Sequence, residues 1–195
     1  MQNIKSLDSI QDFLSPSISA LLIWDVQNML VDNIFNKEEF LKQNNLIIDS
    51  AHKLEIPVFF SKITPLTGRF ESPVRKFMMQ QRKFKLDMKP EGTDLTIKPN
   101  KNDIVVNKNT ASMFIGTNFE MMLKNAGIVT VVITGIATEF GVESSARDAA
   151  NRGFMPVVVS DAVSSSDREA HERSLENMKK LFPVVPVDKI IENWK

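Results

Sequence analysis

The stretch "VTVVITGIATEFGVESSARDAANRG", Val129–Gly153, decides the fold. Its opening run, Val129–Gly135, is apolar and rich in β-branched residues, as a strand buried on both faces requires. From Glu139 onward it reads as a helix stopped by Gly153, a residue suited to a helix C-terminus. Between the two lies a tight strand-to-helix turn, "GIATEFG". Backbone N–H groups at a helix start lack intrahelical partners and can stabilise a developing negative charge. Many enzymes of this shape place a nucleophile at such a turn, and this chain places Gly141 there.

Outward from this unit the same alternation repeats. "ALLIWDV" (Ala20–Val26), "IPVFFSKI" (Ile56–Ile63), "DIVVNK" (Asp103–Lys108) and "FMPVVVSDAV" (Phe154–Val163) read as strands, and "PVVPV" (Pro183–Val187) as a short last one. Residues 37–54 carry apolar side chains at helical spacing: Phe40, Leu41, Ile47, Ile48, Ala51 and Leu54. Helices are also predicted over 72–85, with Ser72 as N-cap and Pro73 in the first turn, over 118–127, ended by Gly127, and over 165–182. Strands alternating with helices predict an α/β fold with parallel strands and right-handed crossovers. Residues 64–102 are the least regular, rich in Lys, Pro, Gly and Thr, and predict a lid or an interface segment.

The length of 195 residues suits one domain over 1–195, with 1–18 as an N-terminal extension, and the 43% of apolar residues suffices for a large core. Lys+Arg and Asp+Glu balance at 24 each, with no dense basic run, so there is no electrostatic case for nucleic acid or an anionic membrane. The longest apolar runs are too short to span a bilayer. The N-terminus lacks the pattern of a signal peptide. With no cysteine there is no disulfide, no thiolate metal site and no thiol chemistry, which fits a cytoplasmic protein.

In open parallel sheets ligands sit beyond the carboxyl ends of the strands. That rule selects Asp25, Lys108 and the "GIATEFG" turn, and predicts that they converge. Asp25 lies among large apolar residues, where a carboxylate needs a cation; with Lys108 it could form a proton-transfer pair, or it could simply tie down the loop after its strand. Lys108 is either that partner or a solvated strand-end lysine, and Asn107 and Asn109 beside it read as loop formers. Gly141 either presents its amide to a ligand or merely fits a tight turn. Ser144 and Ser145 read as packing or hydrogen-bonding residues. His52 and His171, with no ligand neighbours at metal spacing, read as surface or capping histidines. Arg147 and Asp148 read as ion-pair formers, Asp161 as structural, and Met78, Met79, Met121 and Met122 as core or interface filler.

The segments "LLIWDVQNML", "VVNKNTASMFIGTNFE", "VTVVITGIATEFGVESSARDAANRGFMPVVVSDAVSS" and "EAHERSLENM", in this order, resemble the isochorismatase-like, or cysteine hydrolase, superfamily from about Ser19 to Val187. The resemblance implies a three-layer α/β/α fold with a mostly parallel six-stranded sheet. It implies a catalytic Asp25 and Lys108, with the family's cysteine falling on Gly141. It further implies a cis peptide at Ile136–Ala137 that aims the amides of Ala137 and Gly141 at one oxyanion. A cysteine at 141 would complete the family triad in sequence. Metal-dependent nicotinamidases of the superfamily carry a His-rich segment after the second strand; "FFSKITPLTGRF" contains no His, so no metal and no cofactor are expected. Isochorismatases also carry Gly at this position and hydrolyse a vinyl ether through an Asp acid. The segment "TASMFIGT" has the generic hydrolase form instead. The resemblance therefore implies a metal-independent acid/base hydrolase of a small-molecule substrate, forming a homo-oligomer, a dimer or larger. An inactive member that binds a small molecule or a protein, and a thiol-free amidase, stay open beside it.

Overall fold

The computed structural model describes residues 9–81 and 89–194. Its six strands are β1 (Ser19–Trp24), β2 (Val58–Ile63), β3 (Ile104–Lys108), β4 (Thr130–Ile136), β5 (Met155–Ser164) and β6 (Val184–Val185). They form one sheet in the order β3-β2-β1-β4-β5-β6, with every pair parallel. The principal helices are α1 (Lys37–Lys53), α2 (Pro73–Gln81), α3 (Phe119–Asn125), α4 (Glu143–Asn151), α5 (Arg168–Lys179) and α6 (Val187–Asn193). No helix among the described residues is long and apolar enough to cross a membrane.

The pleat of β1 divides the core. Leu21 and Ile23 point to one face, where α1 and α6 pack through Phe40, Ile47, Ala51, Ile190 and Trp194. Ala20, Leu22 and Trp24 point to the other, where α3, α4 and α5 contribute Phe119, Leu123, Ala146, Ala149 and Met178. Both faces being covered explains why all six residues of β1 are buried. α1 is held by its apolar stripe, and Glu38 and Glu39 in its first turn and His52 and Lys53 in its last complement its dipole. The Asp167 side chain caps α5 by accepting from the Ala170 N–H at 3.0 Å.

The order places β1 beside β4, and from there the chain winds outward in both directions. A crevice forms at such a switch point, between the carboxyl ends of the two central strands. Three expectations need correction. Asn107 lies inside β3, not in the loop after it. The expected helix from Glu139 opens with a π-helical turn, Thr138–Val142, before α4 begins. The last strand is only Val184–Val185, and Val187 starts a helix that caps the face under β5. Of the two readings of Met121, core or interface filler, its 56% exposure removes the core one. The predicted helix over 72–85 is observed as α2; its last residues lie outside the described ones.

Candidate active site

Asp25 follows β1 with φ +43°, a left-handed conformation that Asp tolerates better than most side chains. The Gln27 N–H donates to the Asp25 carbonyl at 2.8 Å and closes this sharp turn over the strand ends. The carboxylate is held from two sides. Oδ2 accepts from Lys108 Nζ at 2.6 Å, and Oδ1 accepts from Ser61 Oγ at 2.5 Å. Ser61 Oγ in turn accepts from the Asp25 N–H at 2.9 Å. Asp25, Lys108 and Ser61 are 3%, 1% and 0% exposed, so the ion pair lies almost wholly out of water.

Lys108 reaches Asp25 from two strands away, about 10 Å at the usual strand spacing. On β3 its side chain shares the face of Val106, the face on which Trp24 lies. It therefore crosses above β2 and passes the indole, with Nζ 3.8 Å from the Trp24 ring centroid. Burial lowers the pKa of the Lys108 ammonium; the Asp25 carboxylate opposes this, and the nearby Arg75 charge adds to the fall. The ammonium also donates to the Thr110 carbonyl at 3.2 Å.

The Ile136–Ala137 peptide is cis, and Ala137 and Gly141 border the same cavity as Asp25 and Lys108. Gly141 has no free space for a side chain. A Cβ built on it would overlap the Nε1, Cε2 and Cζ2 atoms of Trp24. A cysteine at 141 would thus complete the triad in sequence only: the indole fills the place of that side chain. Gly135 is the lateral partner of Trp24 across the β1–β4 ladder, and a Cβ there would overlap the Trp24 backbone.

The cavity holds about 290 Å³ and is roofed by residues of the irregular segment, among them Val74, Arg75, Met78 and Met79. Met78 and Met79 thus line a cavity rather than a closed core. Arg75 is the charged residue among the described ones of the roof, where Ser72 is also polar. Its Nε lies 3.4 Å from Glu71, while its buried Nη1 has no hydrogen-bond partner among the described residues. The second part of the same segment is clipped to the site floor: the Gln27 side chain accepts from the Ile63 N–H at 2.9 Å and donates to the Thr93 carbonyl at 2.7 Å.

The other candidates lie elsewhere. Ser145 accepts from the Met113 N–H at 3.1 Å, a packing role, and Asp161 accepts from the Val187 N–H at 2.9 Å. Arg147 pairs with Glu143 and Asp148 with Arg152, each one helical turn apart. His52 bonds Asp103 at 2.8 Å and joins α1 to the loop before β3. The reading of His171 as a surface or capping residue is corrected: it is 8% exposed and lies 2.7 Å from Thr138 Oγ1, beneath the cis turn. No group of three or more His, Asp or Glu side chains among the described residues could hold a metal ion.

Desolvation lowers the His171 pKa, so on acidification the unfolded chain takes the proton first. Stability from this group is complete above the ordinary histidine value of about 6.5 and is lost as pH falls through it. The denaturation midpoint is expected to drop between pH 7 and pH 5, and His171→Gln should flatten that slope. An unchanged slope in the variant would show that His171 is protonated in the fold without penalty.

Sequence reasoning missed Trp24, Ser61 and Arg75. Ser61 had a visible signal, a lone small polar residue inside the apolar run "PVFFSKI".

The isochorismatase domain model matches residues 19–188. The isochorismatase family protein YwoC of Bacillus subtilis is 37% identical over 81 residues, 42% of this chain and 41% of the relative. Enterobactin synthase component B of Escherichia coli is 28% identical over 173 residues, 83% of this chain and 58% of the relative. The chain thus spans about half the length of these two relatives. A cysteine hydrolase from Pseudomonas syringae superposes with a TM-score of 0.81, covering 92% of this chain and 93% of its own; at 17% identity this likeness shows the fold alone.

Proposed function

The chain belongs to the isochorismatase family, and from that ground we propose that it is a metal-independent hydrolase of a small anionic molecule, working by acid–base chemistry at Asp25 without a covalent intermediate. The observation that carries this reading is the buried Lys108–Asp25 pair, 2.6 Å apart, opening onto a cavity in which Trp24 takes the nucleophile's place. A vinyl ether is the substrate class that such a site suits, because its hydrolysis needs a proton and a water but no thiol.

Asp25 delivers a proton to the enol-ether carbon. The ether oxygen stabilises the cation that results, and water adds to the oxygen-bearing carbon. Asp25 recovers a proton from that water, and the hemiketal collapses to a ketone and an alcohol. One water is consumed and no net proton is used. Lys108 is the proton's other holder, since burial already weakens its grip on it. The amides of Ala137 and Gly141 bind a substrate oxygen or carboxylate. The buried Nη1 of Arg75, which has no hydrogen-bond partner among the described residues, suits an anionic group at the roof.

The test is a turnover panel of carboxylate-bearing vinyl ethers, isochorismate among them, against simple amides. Vinyl ethers should turn over and iodoacetamide should change nothing, as the chain has no cysteine to alkylate. Arg75→Gln should raise KM about 10–150-fold with kcat nearly unchanged, the worth of a charge-assisted hydrogen bond of about 1.5–3 kcal/mol made in ground and transition state alike. Amide turnover alone would sink the vinyl-ether reading. No turnover across the panel, with a ligand still held in the cavity, would make the protein a binder.

A further inference from the structure

In the thiol-dependent members of the superfamily that this chain resembles, the position of Gly141 carries a cysteine beside the Asp–Lys pair. Here the same volume is filled from the neighbouring strand by an indole. Four observations converge on Trp24. It is 2% exposed, and a Cβ on Gly141 would overlap its ring. Its partner on β4 is Gly135, so no side chain stands beside it on that strand. Its ring centroid lies 3.8 Å from the Lys108 ammonium. That ammonium is buried, with Asp25 as its one carboxylate partner among the described residues.

A thiolate at 141 would be an anion close to Lys108. The indole puts the negative face of its ring quadrupole there instead, a partner that attracts a cation without being nucleophilic or needing a proton of its own. We propose that Trp24 is a positioning residue that stands in for the missing nucleophile. It blocks the space that a covalent intermediate needs, and its ring face helps to keep Lys108 protonated and directed at Asp25. Trp24 and Gly141 then form one steric unit, in which position 141 can gain a side chain only if Trp24 gives up its ring.

This inference rests on the proposed roles of Asp25 and Lys108, but its test needs no turnover, so its failure is distinct from failure of the vinyl-ether reading. The Lys108 side chain is followed by NMR of lysine-labelled full-length protein, the resonance being assigned by its loss in Lys108→Met. Trp24→Leu, which keeps apolar bulk but removes the ring, should lower the Lys108 titration by about one pH unit. Trp24→Phe, which keeps a ring face, should lose less than half of that. Equal shifts in the two variants, or none in either, would overturn the electrostatic role.

The steric unit is tested by a thiol. Gly141→Cys alone should lower the melting temperature by about 5–10 °C, the usual penalty of an overpacked core, or fail to fold. Adding Trp24→Val should restore the fold and make Cys alkylation by iodoacetamide at least about tenfold faster than in any folded single variant. A Gly141→Cys protein with the wild-type melting temperature and an alkylation rate matching the double variant would refute the unit.

Discussion

Lys108→Met is expected to destabilise the protein by about 3–5 kcal/mol, read as a fall in denaturation midpoint at constant slope. The size follows from what is left behind. Lys108 donates to Asp25 at 2.6 Å, and neither side chain is more than 5% exposed. Methionine fills the stem's volume but supplies no charge, so the carboxylate stays buried with the Ser61 hydroxyl as its remaining side-chain donor among the described residues. Removing both charges is a different perturbation. Asp25→Asn combined with Lys108→Met leaves no buried ion, and a buried pair replaced by neutral groups of similar volume is often close to neutral in stability. The double variant should therefore recover most of the loss, with a coupling of about 2 kcal/mol or more. Additive losses would mean that the two side chains are held by their separate surroundings and not by each other.

Much of this arrangement was legible before any coordinates. Asp25, Lys108 and the Gly141 turn each follow an apolar run, and in a parallel sheet the ends of such runs share one edge. That the three meet at one cavity follows from strand order, with β1 and β4 adjacent at its centre. What could not be read was which neighbours the pleat brings together. Trp24 and Lys108 touch because both lie on one sheet face and because Ile63 is paired with Lys108, a register that neither strand carries alone. The clash at Gly141 is a contact between a strand and a turn more than a hundred residues apart, with no trace in local pattern. Arg75 lies in a segment with no clean periodicity, so its direction depends on how that segment packs. His171 is a different case. The sequence "REAHERSLENMK" looks polar all round, yet His171, Ser174 and Met178 recur at spacings of three and four and form its buried stripe. A period search that admitted His and Ser as core residues would have found it.

Asp25→Asn carries the largest expected effect on chemistry. In the proposed mechanism Asp25 both gives a proton to carbon and takes one from water, and an amide does neither. Loss of a general acid–base group costs typically 10²–10⁴-fold in rate, so kcat should fall by about that factor. KM should change little, because the side chain keeps its volume. Asparagine still offers an oxygen to Lys108 in place of the Oδ2 that now accepts at 2.6 Å. The fold should survive, but with an altered pH response. Without the carboxylate, the desolvation that already lowers the Lys108 pKa loses its main opponent, leaving the Trp24 ring face, the Thr110 carbonyl and the asparagine oxygen, so the pKa falls further in the folded state while the unfolded chain still binds the proton. Stability then rises with pH until the unfolded lysine itself titrates, near 10.4. The deficit of Asp25→Asn relative to wild type should accordingly be largest near neutrality and shrink toward pH 10. A variant that keeps its rate would remove Asp25 from the chemistry. One that loses its rate but shows the same stability deficit at every pH would keep Asp25 as the acid while denying that it holds the charge on Lys108.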